Sequence, residues 1–289
     1  MLKVHLAVGA AGVLFGTTFV VMKEALEDIE PMPLLAARFL IAGLVLAPFA
    51  RPSVRRPSQP GIVRSGVACG SALAVGYVFQ TVGLQHTTTG VSAFITFLLV
   101  VIVPVLSALT LRRFPTRWVT AGVLFAAAGL VLLASPSLGE IGLGYGELLT
   151  LGCAVAFAVH IVLLADLAPR FDTIRLNAIQ LGFVGAVCFL PGIVLGGYDF
   201  SAKAWTAAVF TAVAASCGAF GLQVWGQRLV GPTRTSLLLM LEPVSAAFLG
   251  WAIGERLGVT GVIGASLILI GILLAELPTL RAQRTTDAL

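Results

Sequence analysis

Few residues of this chain can do chemistry, and most of them stand inside long apolar runs. Glu242 is the one acid well inside such a run, about 12 Å from its nearer end at the helical rise per residue. A carboxylate at that depth is costly and suggests a role: taking up a proton, pairing with a cationic ligand, or closing a structural ion pair with Arg38. Tyr77 lies about 18 Å into another run, where its hydroxyl needs a partner. Gln80 follows on the same helical face, roughly 22 Å deep. Gln223 holds the matching place in the second half of the chain. Two such amides can bind a ligand or tie helices together, and both readings stand. His160 either titrates near neutrality or packs as a satisfied interior residue. Phe15, Phe94 and Phe97 offer aromatic walls beside these polar handles. Lys23 and Arg38 lie near run ends, where they can reach back to water or pair with Glu24 or Glu27.

Enzyme signatures are missing. The chain has no His-Glu-x-x-His helix, no Gly-x-Ser-x-Gly elbow and no phosphate loop. Its five aspartates (28, 166, 172, 199, 287) all avoid the run centres, so neither an aspartyl dyad nor a metal-diphosphate site is available. No metal and no cofactor is expected. The glycines of the 137–146 segment are spaced like part of a nucleotide loop, but no strand precedes them, and a connector is expected there.

The elements that must position these residues follow from composition. Hydrophobic residues make up 58% of the 289, charged residues only 11%, and mean hydropathy is +1.02. A soluble domain carries about 25% charged residues, so too few polar groups remain here to cover a core. Lipid must do the covering. Crossing helices need roughly 20 apolar residues, and ten runs qualify: 6–26, 33–50, 65–84, 90–111, 118–134, 146–166, 174–195, 204–226, 233–251 and 258–276. The first follows Lys3 as a leader peptide would, but its length and its match to the sixth run mark it as a retained span.

The runs repeat. Gln80 and Gln223, Pro48 and Pro191, Phe15 and Phe157, and Pro104 and Pro243 all recur at an offset of about 140 residues, the mark of a duplication. The halves are 1–137 and 145–276, followed by a tail at 277–289 expected to be cytoplasmic. Five crossings per half require the second copy to enter the bilayer inverted. The charges agree. Most of the 18 basic residues cluster at alternate run ends: Lys3; Arg51, Arg55, Arg56 and Arg64; Arg112, Arg113 and Arg117; Arg170 and Arg175; Arg228 and Arg234; Arg281 and Arg284. The positive-inside rule then puts both termini in the cytoplasm. Glu24, Glu27, Asp28, Glu30, Glu140, Asp199 and Glu255 face the other side. The net charge of +5 and pI near 9.4 therefore report topology, and no nucleic-acid partner is expected.

Other features read as packing. Cys69, Cys153, Cys188 and Cys217 all lie in runs as small apolar residues. Gly12/Gly16, Gly66/Gly70, Gly192/Gly196 and Gly250/Gly254 let helices approach closely, with no dimer code, so the expected unit is a monomer. Trp118, Trp205, Trp225, Trp251, Tyr145 and Tyr198 sit near run ends as a headgroup belt. Pro104 and Pro243 fall inside runs, where they act as hinges or as static bends.

Several segments resemble EamA-type members of the drug/metabolite transporter superfamily. LFGTTFVVMK at 14–23 with AARF at 36–39 is similar to the family's opening. TTGVSAFI at 88–95 through Pro104, then Gly122 and Gly129, is similar to the end of its first repeat. LEPV at 241–244, GERL at 254–257 and Gly261 through Gly271 are similar to the end of the second. The resemblance implies a plasma-membrane carrier moving small metabolites without ATP, commonly exporting amino acids. One departure is that Val103 and Thr116 align with Glu242 and Glu255, so repeat 1 lacks both acids.

Taken together, the expectation is an all-α membrane protein of ten helices in two inverted five-helix repeats around a central cavity. Its substrate site comprises Phe15, Tyr77, Gln80, Phe94, Phe97, His160, Gln223 and Glu242, with hinges at Pro104 and Pro243. That lining suits aromatic or hydrophobic amino acids exported by alternating access. Export of cationic drugs or other metabolites is the nearest alternative. An intramembrane lipid-modifying enzyme and a passive channel are the rivals from other classes.

Overall fold

The computed structural model describes residues 2–51, 59–110, 117–134, 143–167, 170–223, 225–226, 229 and 238–287. Arg55, Arg56, Arg112, Arg113, Arg228 and Arg234 lie outside them, as do most of the connector between the halves and the side chain of Pro104. The described residues fold into helices joined by turns, with no strand among them. In order these are α1 (Leu2–Ala25), α2 (Pro31–Leu46), α3 (Ile62–Gln85), α4 (Thr89–Phe97), α5 (Leu99–Thr110) and α6 (Arg117–Ala134). The second half contributes α7 (Tyr145–Leu167), α8 (Thr173–Val194), α9 (Ala202–Phe210), a π-helical segment (Thr211–Ala219), α10 (Leu241–Ala252) and α11 (Val259–Asp287).

Local chemistry sets the boundaries. Pro31 opens α2, where a missing N–H costs nothing. Side-chain oxygens of Thr88, Asp172 and Ser201 accept from the backbone N–H groups of Val91, Arg175 and Ala204, capping α4, α8 and α9. Pro243 is the third residue of α10, with Leu238 and Leu239 also helical just before that element. The run at 90–111 instead breaks at Leu98, whose N–H bonds back to Ile95 and separates α4 from α5. The last helix also runs on through Asp287, past the expected boundary at 276.

Five segments are long and apolar enough to cross a membrane: Lys3–Ala25, Ile62–Gln85, Tyr145–Leu164, Thr173–Val194 and Ala202–Gln223. Pro31–Leu46, Thr89–Val103, Arg117–Leu133 and Val259–Leu274 are shorter apolar helices. Their outward faces are apolar and bare, with Leu6, Leu44, Leu124, Leu190, Val194 and Val259 all well exposed. Soluble monomers rarely expose contiguous apolar surface of this kind. Trp205, Trp225 and Trp251 are also about half exposed, as a headgroup belt requires.

The two halves interlock. α2 packs on α8 and α6 on α11, each helix meeting the one in the equivalent place of the other half, while α3 packs on α7 and α1 on α10. Glycines make these approaches possible. A Cβ at Gly264 would strike the backbone of Leu133 and Gly129, and one at Gly271 the carbonyl of Gly122. A Cβ at Gly16 would strike Ser245 and the Glu242 carbonyl. Buried apolar residues form two clusters. One joins α1, α2, α3 and α8 around Phe39, Leu73 and Tyr77. The other joins α4, α6 and α11 around Phe94, Phe97 and Ile268.

The lower ends of α3 and α8 meet through the loops that precede them. Arg175 Nε donates to the Ala50 carbonyl at 2.9 Å, and the Asp172 N–H donates to Gln59 Oε1 at 2.7 Å. The opposite end of the bundle holds the α3–α4 turn, the tip of α1 and the α10–α11 loop around a cavity of about 580 Å³.

Candidate functional site

A string of polar side chains crosses the interior where α2, α3, α4, α7 and α10 converge. α2 carries Arg38, which is 2% exposed. Its Nε donates to Ser216 Oγ at 3.1 Å. The guanidinium carbon lies 4.9 Å from the Tyr77 ring centre and 5.0 Å from that of Phe39. Such stacking suits a planar, weakly hydrated cation. Ser216 belongs to the π-helical segment, whose wider turn alters the angular position of its residues; such segments cluster at functional places.

Tyr77 is the centre of an aromatic box. Its ring lies 4.6 Å from Phe39 and 5.0 Å from Phe157, the latter edge-on. Gly76 makes room for the Phe157 ring, since a Cβ there would run into it. Glu242 and Cys153 are both near enough to act electrostatically on the Tyr77 hydroxyl. On α4, Thr96 Oγ1 accepts from Gln80 Nε2 at 3.3 Å. The interior thus holds Gln80 bonded to Thr96, Arg38 bonded to Ser216 and stacked on Tyr77, and Cys153 and Glu242 within electrostatic reach of Tyr77.

Glu242 differs from the rest. It is half-buried in the first turn of α10, pressed against α1 at Gly12 and Gly16. Among the described residues no donor bonds to its carboxylate and no cation stands within ion-pair distance. The expected structural pair with Arg38 is therefore not formed. Both charges approach Tyr77, and neither neutralises the other.

Tyr77 and Gln80 lie one turn apart on α3, Glu242 lies on α10 within electrostatic reach of Tyr77, and the other expected residues have the following neighbours. Phe94 and Phe97 belong to the second apolar cluster, with Phe15 packed against it. Phe15 meets Phe220 edge-on at 5.4 Å, near the half-buried Gln223. His160 is buried on α7 and bonds to Gln180 Oε1 on α8 at 2.9 Å, a satisfied interior pair. Sequence reasoning missed Thr96, Cys153 and Ser216 among these polar groups, and Phe39 and Phe157 as the walls of the aromatic box. Ser216 carried no signal at all, because its placement depends on the π-helical turn.

Lys23 departs from expectation too. It does not pair with Glu24 or Glu27; its Nζ donates to the Leu84 and Thr87 carbonyls at 2.6 and 2.8 Å, closing the end of α3. Glu255 closes the start of α4 from the other half. Its oxygens accept from the Thr89 N–H at 2.8 and 3.1 Å and from Thr89 Oγ1 at 2.5 Å. Glu147 Oε1 accepts from Thr87 Oγ1 at 2.5 Å. The α3–α4 turn is thus held by a base at a helix C-terminus and an acid at a helix N-terminus, each matched to the local dipole. Among the described residues no cluster of three or more metal-ligating side chains occurs.

Comparison with known proteins places this architecture. The model of the EamA-like transporter family matches the chain twice, over residues 2–135 and 144–277. An uncharacterized transporter of Archaeoglobus fulgidus is 29% identical over 279 residues, covering 96% of this chain and 86% of that one. The uncharacterized transporter YoaV of Bacillus subtilis is 25% identical over 284 residues, covering 94% and 96%. A WAT1-related chloroplastic protein of Arabidopsis thaliana is 27% identical over 280 residues, covering 91% and 67%. A protein of known crystal structure superposes with a TM-score of 0.69 at 21% identity, covering 97% of this chain and 98% of that chain, which shows a shared fold. The family and the two prokaryotic relatives are named as transporters. With both of its halves matched, the chain belongs to the EamA-like transporter family and is a multi-pass membrane transporter.

Proposed function

We propose that the protein is a ten-span secondary transporter, built from two inverted five-helix units, that exports a small zwitterion with an apolar side chain. Aromatic and hydrophobic amino acids fit best. The observation that carries this reading is a pair of unjoined groups of opposite type at Tyr77: Arg38 stacked on its ring, and Glu242 within electrostatic reach of it and without an ion-pair partner among the described residues. A substrate carboxylate would meet the guanidinium, a substrate ammonium the Glu242 carboxylate, and an apolar side chain the box of Phe39, Tyr77 and Phe157. Each charge is costly at membrane depth when unpaired. A zwitterion supplies both counter-charges at once, whereas a cationic drug would satisfy Glu242 alone and leave Arg38 as it is.

The course of the helices supports inversion. The end of α1 (Lys23) and the start of α7 (Glu147) line the same cavity, as do the end of α6 (Leu133) and the start of α11 (Thr260 and Gly261). First and fifth helices of the two halves therefore run in opposite directions. Under the positive-inside rule this cavity faces outward and both termini lie in the cytoplasm of a plasma-membrane protein. Rocking of one unit against the other then exposes the central site to each side in turn.

The test is counterflow in proteoliposomes preloaded in turn with each of a panel of amino acids. Saturable exchange of phenylalanine, leucine or a close relative is expected. An absence of saturable exchange for every amino acid would overturn the substrate assignment, and flux that rises without saturation would indicate a channel.

A further inference from the structure

One hydroxyl inside the bundle has no partner. Ser92 on α4 is completely buried, and its Oγ is the one buried side-chain oxygen or nitrogen among the described residues that makes no hydrogen bond. A buried hydroxyl without a partner is costly, and in lipid there is no water to relieve it. Helical serines and threonines commonly bond back to the carbonyl one turn earlier. Thr17, Ser71, Thr150 and Ser266 of this chain all do so. Ser92 does not.

Its place on the helix suggests what the free hydroxyl serves. At 3.6 residues per turn, Thr89, Ser92 and Thr96 fall within about 60° of one another on α4. Thr89 is held by Glu255 at the mouth of the end cavity, and that cavity reaches Thr88 and Val91. Thr96 belongs to the central polar groups through its bond from Gln80. A row of three hydroxyls thus runs about 10 Å along α4 from the end cavity to the central site. Two of the three are engaged by protein groups, and the middle one is unpartnered.

We propose that this face of α4 is one wall of the substrate's route between the end cavity and the central site, and that Ser92 is a substrate-contacting residue within it. The proposal rests on the transport reading given above. A hydroxyl both donates and accepts, so it serves the carboxylate and the ammonium of a zwitterion alike. The Glu255 contacts with Thr89 close the route in this conformation, and a substrate passing outward must part them.

Accessibility tests the wall without knowledge of the substrate. Ser92→Cys, with Ile268→Cys from the α6–α11 contact as control, is made in the full chain in membrane vesicles. A membrane-impermeant methanethiosulfonate reagent is then added from each side. Ser92→Cys should be modified at least 10-fold faster than Ile268→Cys from the side that bears Glu255, and faster again when combined with Glu255→Gln. Equal rates for the two cysteines would overturn the proposal, whether or not any amino acid exchanges. Where labelled phenylalanine does exchange, Ser92→Ala should raise KM about 10-fold, the loss of one hydrogen bond of ordinary strength, while Tm holds or rises. An unchanged KM would return Ser92 to a packing role.

Discussion

Glu242 and Tyr77 carry opposite costs, and mutation separates them. A carboxylate without a partner destabilises the protein that holds it, so Glu242→Gln should keep or raise Tm while raising KM for the exchanged amino acid at least 10-fold. A falling Tm with unchanged exchange would make Glu242 structural. Tyr77→Phe keeps the ring between Phe39 and Phe157 and under the Arg38 guanidinium but removes the hydroxyl offered to the substrate, and it should raise KM by about 10-fold with a small Tm change. Thermal unfolding in detergent and counterflow measure both. At this scale the sequence was partly legible. Depth within an apolar run was enough to single out Tyr77, Gln80 and Glu242, because a polar group in lipid needs a reason. The same logic misread Arg38 as a boundary residue, since its burial depends on a cation-accepting aromatic pair from α2 and α3. His160 satisfied the criterion of depth yet found its partner in Gln180, a contact that no periodicity reveals.

Helix contacts turn on glycine more than on bulk. At Gly264 any side chain meets backbone atoms of α6, whereas Gly221 has open space around a Cβ. Gly264→Ala should therefore lower Tm by several degrees, and Gly221→Ala should raise it slightly through helix propensity. A paired thermal-shift measurement checks the contrast, and equal shifts would contradict the close approach of α6 and α11. The apolar runs alone made most helix ends readable beforehand to within a few residues. The π-helical segment at Thr211–Ala219 and the break at Leu98 were not readable, because both are tertiary compromises. Thr211, whose Oγ1 bonds to the Ala207 carbonyl at 2.7 Å, opens the segment that sets Ser216 beside Arg38. Proline, the usual sequence signal for a bend, points to other positions here.

The duplication is the most legible feature of the molecule as a whole, since it is written in recurring Gln, Pro and Phe positions before any contact is known. Opposed helix directions around the end cavity support its inversion, and topology labelling checks it. Cysteines at the exposed Lys203 and Arg256 should react from outside intact cells, while tags on both termini stay protected until the membrane is opened. A tag reached from outside would sink the assigned orientation. The central claim, that Arg38 and Glu242 together read a zwitterion, is tested most directly by competition in counterflow. Phenylalanine, phenethylamine (without the carboxylate) and hydrocinnamate (without the ammonium) compete against labelled phenylalanine in wild type and Glu242→Gln. A site built for both charges rejects analogues that leave one of its groups unpaired. Phenylalanine should compete at least 10-fold better than either analogue in wild type, with that advantage over hydrocinnamate lost in Glu242→Gln. Phenethylamine competing as well as phenylalanine would contradict the account and assign the site to cations.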